Sequence, residues 1–173
     1  MVGGLEKPKI LLVYFARENS EYDYLHERDE ANFKWASPGK KFDFTIANKD
    51  KFADQARVHD VLLFAGGNSR KLISSISKMN LNLLKLFEGK IISGSSAGAH
   101  MISEWYYGHG EKNVKKGLGL LPVNVFTHYH PAKGTEFWLP DNRVKQIETK
   151  LINKSGRKET ITIREQEFVI IKV

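Results

Sequence analysis

The sequence predicts an α/β fold in which helices cover both faces of a mostly parallel sheet. Two continuous apolar runs, Lys9–Ala16 and Asp60–Ala65, have the length and composition of strands that are buried on both faces. Charged or amphipathic segments of helical length separate these runs from the other strand-like segments. Because strands alternate with helices along the chain, crossover connections and a parallel sheet are expected.

The predicted strands differ in pattern. Lys41–Ala47 alternates between polar and apolar residues, and Lys90–Ser93 leads into a glycine-rich turn. Near the C-terminus, β-branched residues lie on both sides of Glu165-Gln166, which predicts a hairpin. The predicted strands are Lys9–Ala16, Lys41–Ala47, Asp60–Ala65, Lys90–Ser93, Val123–Thr127, Glu159–Arg164 and Glu167–Val173.

Helices are predicted between these strands. Asn48, and either Asn68 or Ser69, have side chains suited to capping a helix N-terminus, and Asp141 can begin the last helix. Gly108–Gly119 is expected to be a flexible connection. The predicted helices are Glu21–Trp35, Asn48–Arg57, Ser69–Lys78, Leu81–Phe87, Ala97–Tyr107 and Asp141–Asn153.

Length and composition predict one globular domain in a reducing compartment. The chain has 173 residues, of which 41% are hydrophobic and 27% are charged, as in ordinary soluble domains. It contains no cysteine, which excludes disulfides, thiolate metal ligands and a cysteine nucleophile. No apolar run has membrane-spanning length, and Met1–Pro8 has no signal-peptide hydrophobic region. We therefore expect a cytoplasmic protein with no membrane partner.

The net charge of +7 raises the question of a nucleic-acid partner. The lysines and arginines are spread along the chain, and the densest cluster, at Lys112 and Lys115-Lys116, is short. The sequence has no recognisable nucleic-acid module and no basic stripe interleaved with aromatic residues. A solvated basic surface explains the charge better, so no nucleic-acid partner is expected.

The segment Gly94-Ser95-Ser96-Ala97-Gly98 matches the pattern G-x-S-x-G. It lies between a predicted strand and a predicted helix, where a strained turn can expose the Ser96 hydroxyl. The helix N-terminus would supply free N–H groups to a developing oxyanion. An ordinary helix cap with two turn glycines explains the same residues, so the motif alone leaves a nucleophile and a cap equally open.

A second glycine-rich loop, Gly66-Gly67-Asn68-Ser69, follows the strand Asp60–Ala65. The active sites of parallel sheets lie beyond the carboxyl ends of the strands, where both loops are expected. The N–H groups of Gly67 and Ala97 could then form an oxyanion hole for an intermediate on Ser96. A simple strand-to-helix turn is the alternative for the two glycines.

A serine nucleophile needs a general base, and the chain has six histidines. His100 follows Ser96 on the same predicted helix, which is a poor position from which to deprotonate it. His128 and His130 end a predicted strand, where a base is better placed. Their H-x-H spacing could also indicate a metal site, but no third ligand is evident and no metal is expected.

Three segments occur in a characteristic order along the chain: Phe64–Ser69, Gly94–Ala99 and Gly117–Pro122, the last running on to Thr127-His128-Tyr129. Together they resemble peptidase family S51, which contains aspartyl dipeptidase (peptidase E) and cyanophycinase-type serine peptidases. A weaker match is formed by Arg143 and by Ile163-Arg164-Glu165. The resemblance implies a class I glutamine amidotransferase-like fold, a three-layer α/β/α sandwich with a mostly parallel sheet.

The resemblance also implies a set of catalytic roles. Ser96 would be the nucleophile, His128 the general base and Glu165 the carboxylate that orients the histidine. Gly67 and Ala97 would supply the oxyanion N–H groups. Without the resemblance, the sequence would indicate only that Glu165 is a charged residue in the turn of the predicted hairpin.

Substrate contacts are expected from Asn68 and Arg143, and no cofactor is implied. Aspartyl dipeptidases have an arginine just upstream of the Arg143 position, and Phe137–Asn142 contains none. An aspartate-specific pocket is therefore not expected. Family members usually have a strand and a helix before the equivalent of Ile10, and from the resemblance we expect this unit to be absent here.

Three functional classes remain open from the sequence. The favoured class is a serine peptidase that acts on a short peptide or isopeptide through residues 1–173 as one domain. The others are an inactive amidotransferase-like binding module and a small esterase, although esterases of the α/β-hydrolase fold usually need a longer chain. A small peptide is the expected partner, and the oligomeric state, including a homodimer, stays open.

Overall fold

The computed structural model describes residues 6–156 and 160–172. It divides into two compact units, Met1–Gly98 and Ala99–Val173. The strands are β1 Lys9–Val13, β2 Asp43–Ile46, β3 Val61–Phe64, β4 Ile91–Gly94, β5 Trp105–Gly108, β6 Asn113–Lys116, β7 Asn124–Thr127 and β8 Thr160–Ile163. The helices are α1 Tyr22–Ala36, α2 Phe52–Val58, α3 Ser69–Ser77, α4 Leu83–Phe87, α5 Ala97–Ile102 and α6 Asp141–Ser155. The predicted α/β class with mostly parallel strand pairing is confirmed.

The first unit contains a parallel sheet with the strand order β2-β1-β3-β4. β1 lies inside this sheet, and the residues from Ile10 to Val13 are fully buried. Continuous apolar sequence is required here because both faces of the strand are covered. In the register of β3 with β4, Phe64 pairs with Gly94, so both strands end at the same edge.

Helices cover both faces of this first sheet. On one face, Leu25 of α1 packs with Ile10 and Leu12 of β1. On the other face, the ring of Phe64 contacts Phe52 of α2 and Phe87 of α4, with centroids 6.4 and 5.9 Å away. Burial of aromatic and aliphatic side chains on both sides stabilises the sheet and fixes where its strands end.

The second unit contains a sheet with the order β6-β5-β7-β8. β5 and β6 pair antiparallel, whereas β7 pairs in parallel with β5 and with β8. Val144, Ile147 and Leu151 of α6 cover one face by packing in a cluster that includes Phe126. On the other face, the ring of His100 from α5 stacks on Tyr106 of β5. Helices therefore lie on both faces of this sheet as well.

Three local predictions were wrong. The helix expected over Ala97–Tyr107 ends at Ile102, because Tyr106 and Tyr107 are buried as strand residues of β5. Gly108–Gly119 is not a loose connection, since β6 pairs with β5 within it. The C-terminal hairpin is absent, since β8 pairs with β7 and residues 164–172 contain no strand; the predicted strand ends Glu159 and Val173 lie outside the described residues.

In the described part of the chain, no helix is long and apolar enough to cross a membrane.

Candidate active site

Ser96 occupies a left-handed backbone conformation directly after β4. Its φ is +45°, a region that non-glycine residues rarely adopt. The turn is fixed by two backbone hydrogen bonds: Ser95 N–H donates to the Phe64 carbonyl at 3.0 Å, and Gly98 N–H donates to the Ser95 carbonyl at 2.8 Å. Ser96 is half-buried, and α5 begins at the next residue. Ser96 therefore occupies the strained strand-to-helix turn that the G-x-S-x-G pattern predicts.

Gly98 is required by the close approach of α5 to the end of β3. A Cβ on Gly98 would overlap the carbonyl oxygen of Phe64 and lie 2.9 Å from the Phe64 Cβ. Phe64 is fully buried and also accepts the Ser95 hydrogen bond, so it has little room to move. The glycine therefore allows the first turn of α5 to lie against β3 and sets the position of Ser96.

The loop after β3 lies beside Ser96. A Cβ on Gly66 would be 3.4 Å from the Ser96 Cβ, which is van der Waals contact. Gly67 has a φ of +137°, and a Cβ there would lie 2.7 Å from the Ala16 carbonyl oxygen. Gly67 is therefore needed for backbone reasons, and the predicted proximity of this loop to the serine turn is present within the first unit.

Asn68 has a structural role. Its side-chain oxygen accepts a hydrogen bond from Lys71 N–H at 3.0 Å and so caps α3. Its backbone N–H donates to the Ala16 carbonyl at 3.0 Å, which joins the loop after β3 to the turn after β1. Arg17 makes a second link, because its Nε–H donates to the Gly66 carbonyl at 2.7 Å. No sequence signal singled out Arg17.

In the second unit, the structure pairs His128 with Glu165. His128 follows β7 and Glu165 lies two residues beyond β8, and the parallel register of Thr127 with Ile163 places both at the same sheet edge. His128 Nδ1 is hydrogen-bonded to the Glu165 carboxylate. The backbone also joins the two strand ends, since Tyr129 N–H donates to the Ile163 carbonyl at 3.1 Å. The histidine side chain is 18% exposed and the glutamate side chain 57%.

Aromatic contacts hold the His128 ring on other sides. The Phe137 ring stacks on it, with centroids 4.0 Å apart and an interplanar angle of 20°. His109 meets it edge-on at 5.6 Å, and His109 Nε2 is within hydrogen-bonding distance, 3.1 Å, of the Thr127 carbonyl. Burial lowers the pKa of His109. Sequence reasoning missed Phe137 and His109 as neighbours of the histidine because the contacts join separate loops.

The imidazole of His100 is buried next to the end of β7 and is neutral. Its Nε2 is 2.8 Å from Thr127 Oγ1, and its ring stacks on Tyr106 with centroids 4.4 Å apart. Burial, with smaller contributions from His109 and His128, lowers its pKa from 6.5 to about 3. Because the His100 ring is buried, stacked and hydrogen-bonded to Thr127, it stabilises the end of β7 and is poorly suited to accept a proton from a substrate.

Comparison with known proteins identifies the family. The model of peptidase family S51 matches residues 1–172. The chain belongs to peptidase family S51. No curated protein matches it significantly.

The fold is similar to solved structures of related peptidases. One is a Listeria monocytogenes EGD-e protein classed as a peptidase E, with 16% identity over 87% of this chain and 77% of that one and a TM-score of 0.57. Another is a peptidase from an acI-B1 Actinobacterium, with 19% identity over 83% of this chain and 63% of that one and a TM-score of 0.56. At these identities the likeness shows the S51 fold alone.

The two other residues considered from the sequence make their own local contacts in this S51 chain. Arg143, near the start of α6, donates to the Gln146 side chain at 3.2 Å and to the Lys112 carbonyl at 3.4 Å. His130 Nδ1 lies 3.9 Å from the Asp141 carboxylate. Within residues 6–156 and 160–172, no group of three histidine, aspartate or glutamate side chains could hold a metal ion.

Proposed function

We propose that this S51 family member is a serine peptidase that hydrolyses a short peptide or isopeptide bond. Ser96 is the nucleophile, His128 the general base and Glu165 the orienting carboxylate. Family membership supports hydrolysis of a peptide bond. The observation that most supports these roles is the His128–Glu165 hydrogen bond at the end of two neighbouring parallel strands.

The hydrogen bond determines which nitrogen acts as the base. With Nδ1–H donated to Glu165, the neutral imidazole has its lone pair on Nε2. Nε2 takes the proton of Ser96 as Oγ attacks the carbonyl carbon, and the carboxylate stabilises the imidazolium. The imidazolium then protonates the leaving amine. Water hydrolyses the acyl-enzyme through the same base.

The N–H groups of Gly67 and Ala97 are the proposed oxyanion donors. Ala97 begins α5, so its N–H belongs to the unsatisfied first turn of a helix. The loop of Gly67 lies beside the Ser96 side chain, as the Gly66 contact shows. Donors fixed before the reaction stabilise the tetrahedral intermediate without reorganising.

Substrate binding is proposed for Asn68 and Arg143. The Asn68 side-chain oxygen is engaged as a helix cap, so its contribution would come from the amide nitrogen. Arg143 is half-buried, and its guanidinium could bind a carboxylate or a carbonyl group of a small peptide. Arg143→Ala, and Asn68→Asp, which keeps the capping oxygen and removes the amide nitrogen, should raise KM and leave kcat unchanged if the side chain binds substrate uniformly.

Covalent labelling tests the nucleophile directly. A fluorophosphonate probe should attach to Ser96 of the wild-type protein, as located by peptide mass spectrometry, and should not label Ser96→Ala. Ser95→Ala is the matched control, because Ser95 is the adjacent exposed serine and should be dispensable for labelling. Absence of labelling in a folded wild-type protein would favour the non-catalytic binding module.

The carboxylate is tested by Glu165→Gln. An amide at this position stabilises the wrong imidazole tautomer, so turnover should fall by about 10³–10⁴-fold while the fold persists. Glu167→Gln is the control, since Glu167 accepts a hydrogen bond from Arg164 N–H, which an amide oxygen can also do. Full activity of Glu165→Gln would remove the carboxylate from the mechanism.

A further inference from the structure

Arg17 lies in the turn after β1 and contacts the loop that contains Gly67. Its Nε–H donates to the Gly66 carbonyl at 2.7 Å. Its Nη1 lies 3.3 Å from the Glu21 carboxylate, and its side chain is 34% exposed. A partly buried hydrogen bond of this length to a backbone carbonyl restrains the peptide group that accepts it.

The accepting peptide group is the one that contains the Gly67 N–H. The Gly66–Gly67 peptide is trans, so its C=O and its N–H point in opposite directions. With the Gly66 carbonyl directed at Arg17, the Gly67 N–H points in the opposite direction within the peptide plane. The next peptide is held as well, because Asn68 N–H donates to the Ala16 carbonyl.

A glycine pair needs such a restraint. Glycine adopts positive and negative φ about equally well, so a Gly-Gly peptide can rotate and exchange its N–H for its C=O. Gly67 already has a φ of +137°. After such a rotation a carbonyl oxygen would lie where a donor is required, and it would repel an oxyanion.

The guanidinium is itself fixed by its neighbours. Glu21 binds it with one carboxylate oxygen and accepts the Glu18 backbone N–H with the other, at 2.9 Å. Lys71 Nζ donates to the Arg17 carbonyl at 2.5 Å and pairs with the Glu18 carboxylate at 2.7 Å. These contacts hold the turn after β1 against the loop after β3.

From these contacts we infer that Arg17 is a positioning residue, which fixes the Gly66–Gly67 peptide plane so that the Gly67 N–H stays available as an oxyanion donor. The catalytic consequence of this restraint rests on the proposed function. The orientation of the Gly66–Gly67 peptide rests on the geometry of the contacts alone.

Two nearly isosteric variants separate the hydrogen bond from the charge. The Nε2 of glutamine occupies the position of arginine Nε, so Arg17→Gln keeps a donor and loses the charge. Arg17→Met places a methyl group there and loses both. We expect Arg17→Met to lower kcat by about 10–100-fold with KM within about threefold, because an oxyanion donor acts in the transition state. Arg17→Gln should stay within about threefold of wild type.

The control is Arg57→Met, which removes an arginine from an exposed ion pair with Asp54 in the same unit. It should leave kcat unchanged. Equal losses in Arg17→Gln and Arg17→Met would assign the effect to charge and overturn the inference. Wild-type kinetics in a folded Arg17→Met protein would overturn it too.

Nuclear magnetic resonance tests the geometry without turnover. The wild-type protein should show a coupling through the hydrogen bond from Arg17 Nε to the Gly66 carbonyl carbon, and its absence would overturn the inference even if Arg17→Met fails to fold. In Arg17→Met the Gly67 amide signal should broaden or double as the peptide rotates. If the wild-type protein is not labelled at Ser96, the proposed function fails, and these signals still decide whether Arg17 fixes the peptide.

Discussion

Acidification should destabilise this protein through His100 before its carboxylates titrate. The His100 ring is buried, stacked on Tyr106 and hydrogen-bonded to Thr127, and burial lowers its pKa from 6.5 to about 3. The unfolded chain binds a proton on this residue at pH 6.5, whereas the folded protein does so only near pH 3. Between these values the unfolded state holds more protons, so the free energy of unfolding falls as pH falls.

The size of the effect follows from the shift. Each pH unit below the unfolded pKa costs about 1.4 kcal/mol while the folded residue stays neutral. At pH 5 the loss from His100 should therefore be about 2 kcal/mol. The lowered pKa of His109 adds a loss in the same direction.

Urea denaturation at pH 7.5, 6 and 5 measures this loss. Wild-type protein should lose stability steadily over the range, and His100→Gln should lose much less, whatever its stability at pH 7.5. His130→Gln is the control, because the His130 side chain is 40% exposed. If His100→Gln showed the same dependence on pH as wild type, the ring would be protonated in the folded state and the burial argument would fail.

Three further changes test the site. Gly98→Ala should lower the free energy of unfolding by about 1–3 kcal/mol, because the added methyl group overpacks the contact with Phe64. Gly110 has open space around it, so Gly110→Ala should change the free energy of unfolding little. Equal melting temperatures of the two variants would contradict the overpacking argument. Gly67→Ala, at a φ of +137°, should lower turnover by about 10²-fold or more through the lost donor; full turnover in a folded variant would count against the oxyanion hole. Phe137→Leu should lower kcat by up to about 10²-fold by loosening the stacked His128 ring, and an unchanged kcat would show that this stacking is not needed to hold the ring.

The fold was predictable where burial imposes a pattern on the sequence. β1 is apolar at successive positions because both of its faces are covered, and that pattern has no helical period. β5 was not predictable, since Trp105–Gly108 follows a helix without a turn signal and its strand conformation depends on pairing with β6 and β7. Likewise, β8 pairs with β7 rather than with the segment that follows it.

The candidate site also has a part that was predictable from the sequence and a part that was not. Ser96 and its glycines form a local motif, so the strained turn was predictable from neighbouring residues. Glu165 required the family resemblance, because its contact with His128 joins residues from different strands. Arg17 was predicted neither from a local motif nor from the family resemblance. Its partner is the Gly66 carbonyl, and a hydrogen bond to a backbone group leaves no complementary side chain in the sequence.

Strand register connects the hydrophobic core to the proposed chemistry. Thr127 pairs with Ile163, and the next residues along each strand lead to His128 and Glu165. A slip of one residue would turn the buried Phe126 outward, so core packing selects the register that brings the histidine to the carboxylate. In the first unit, the pairing of Phe64 with Gly94 brings the Gly66 loop beside the serine turn in the same manner. Core substitutions that loosen either register should therefore reduce activity before they unfold the chain.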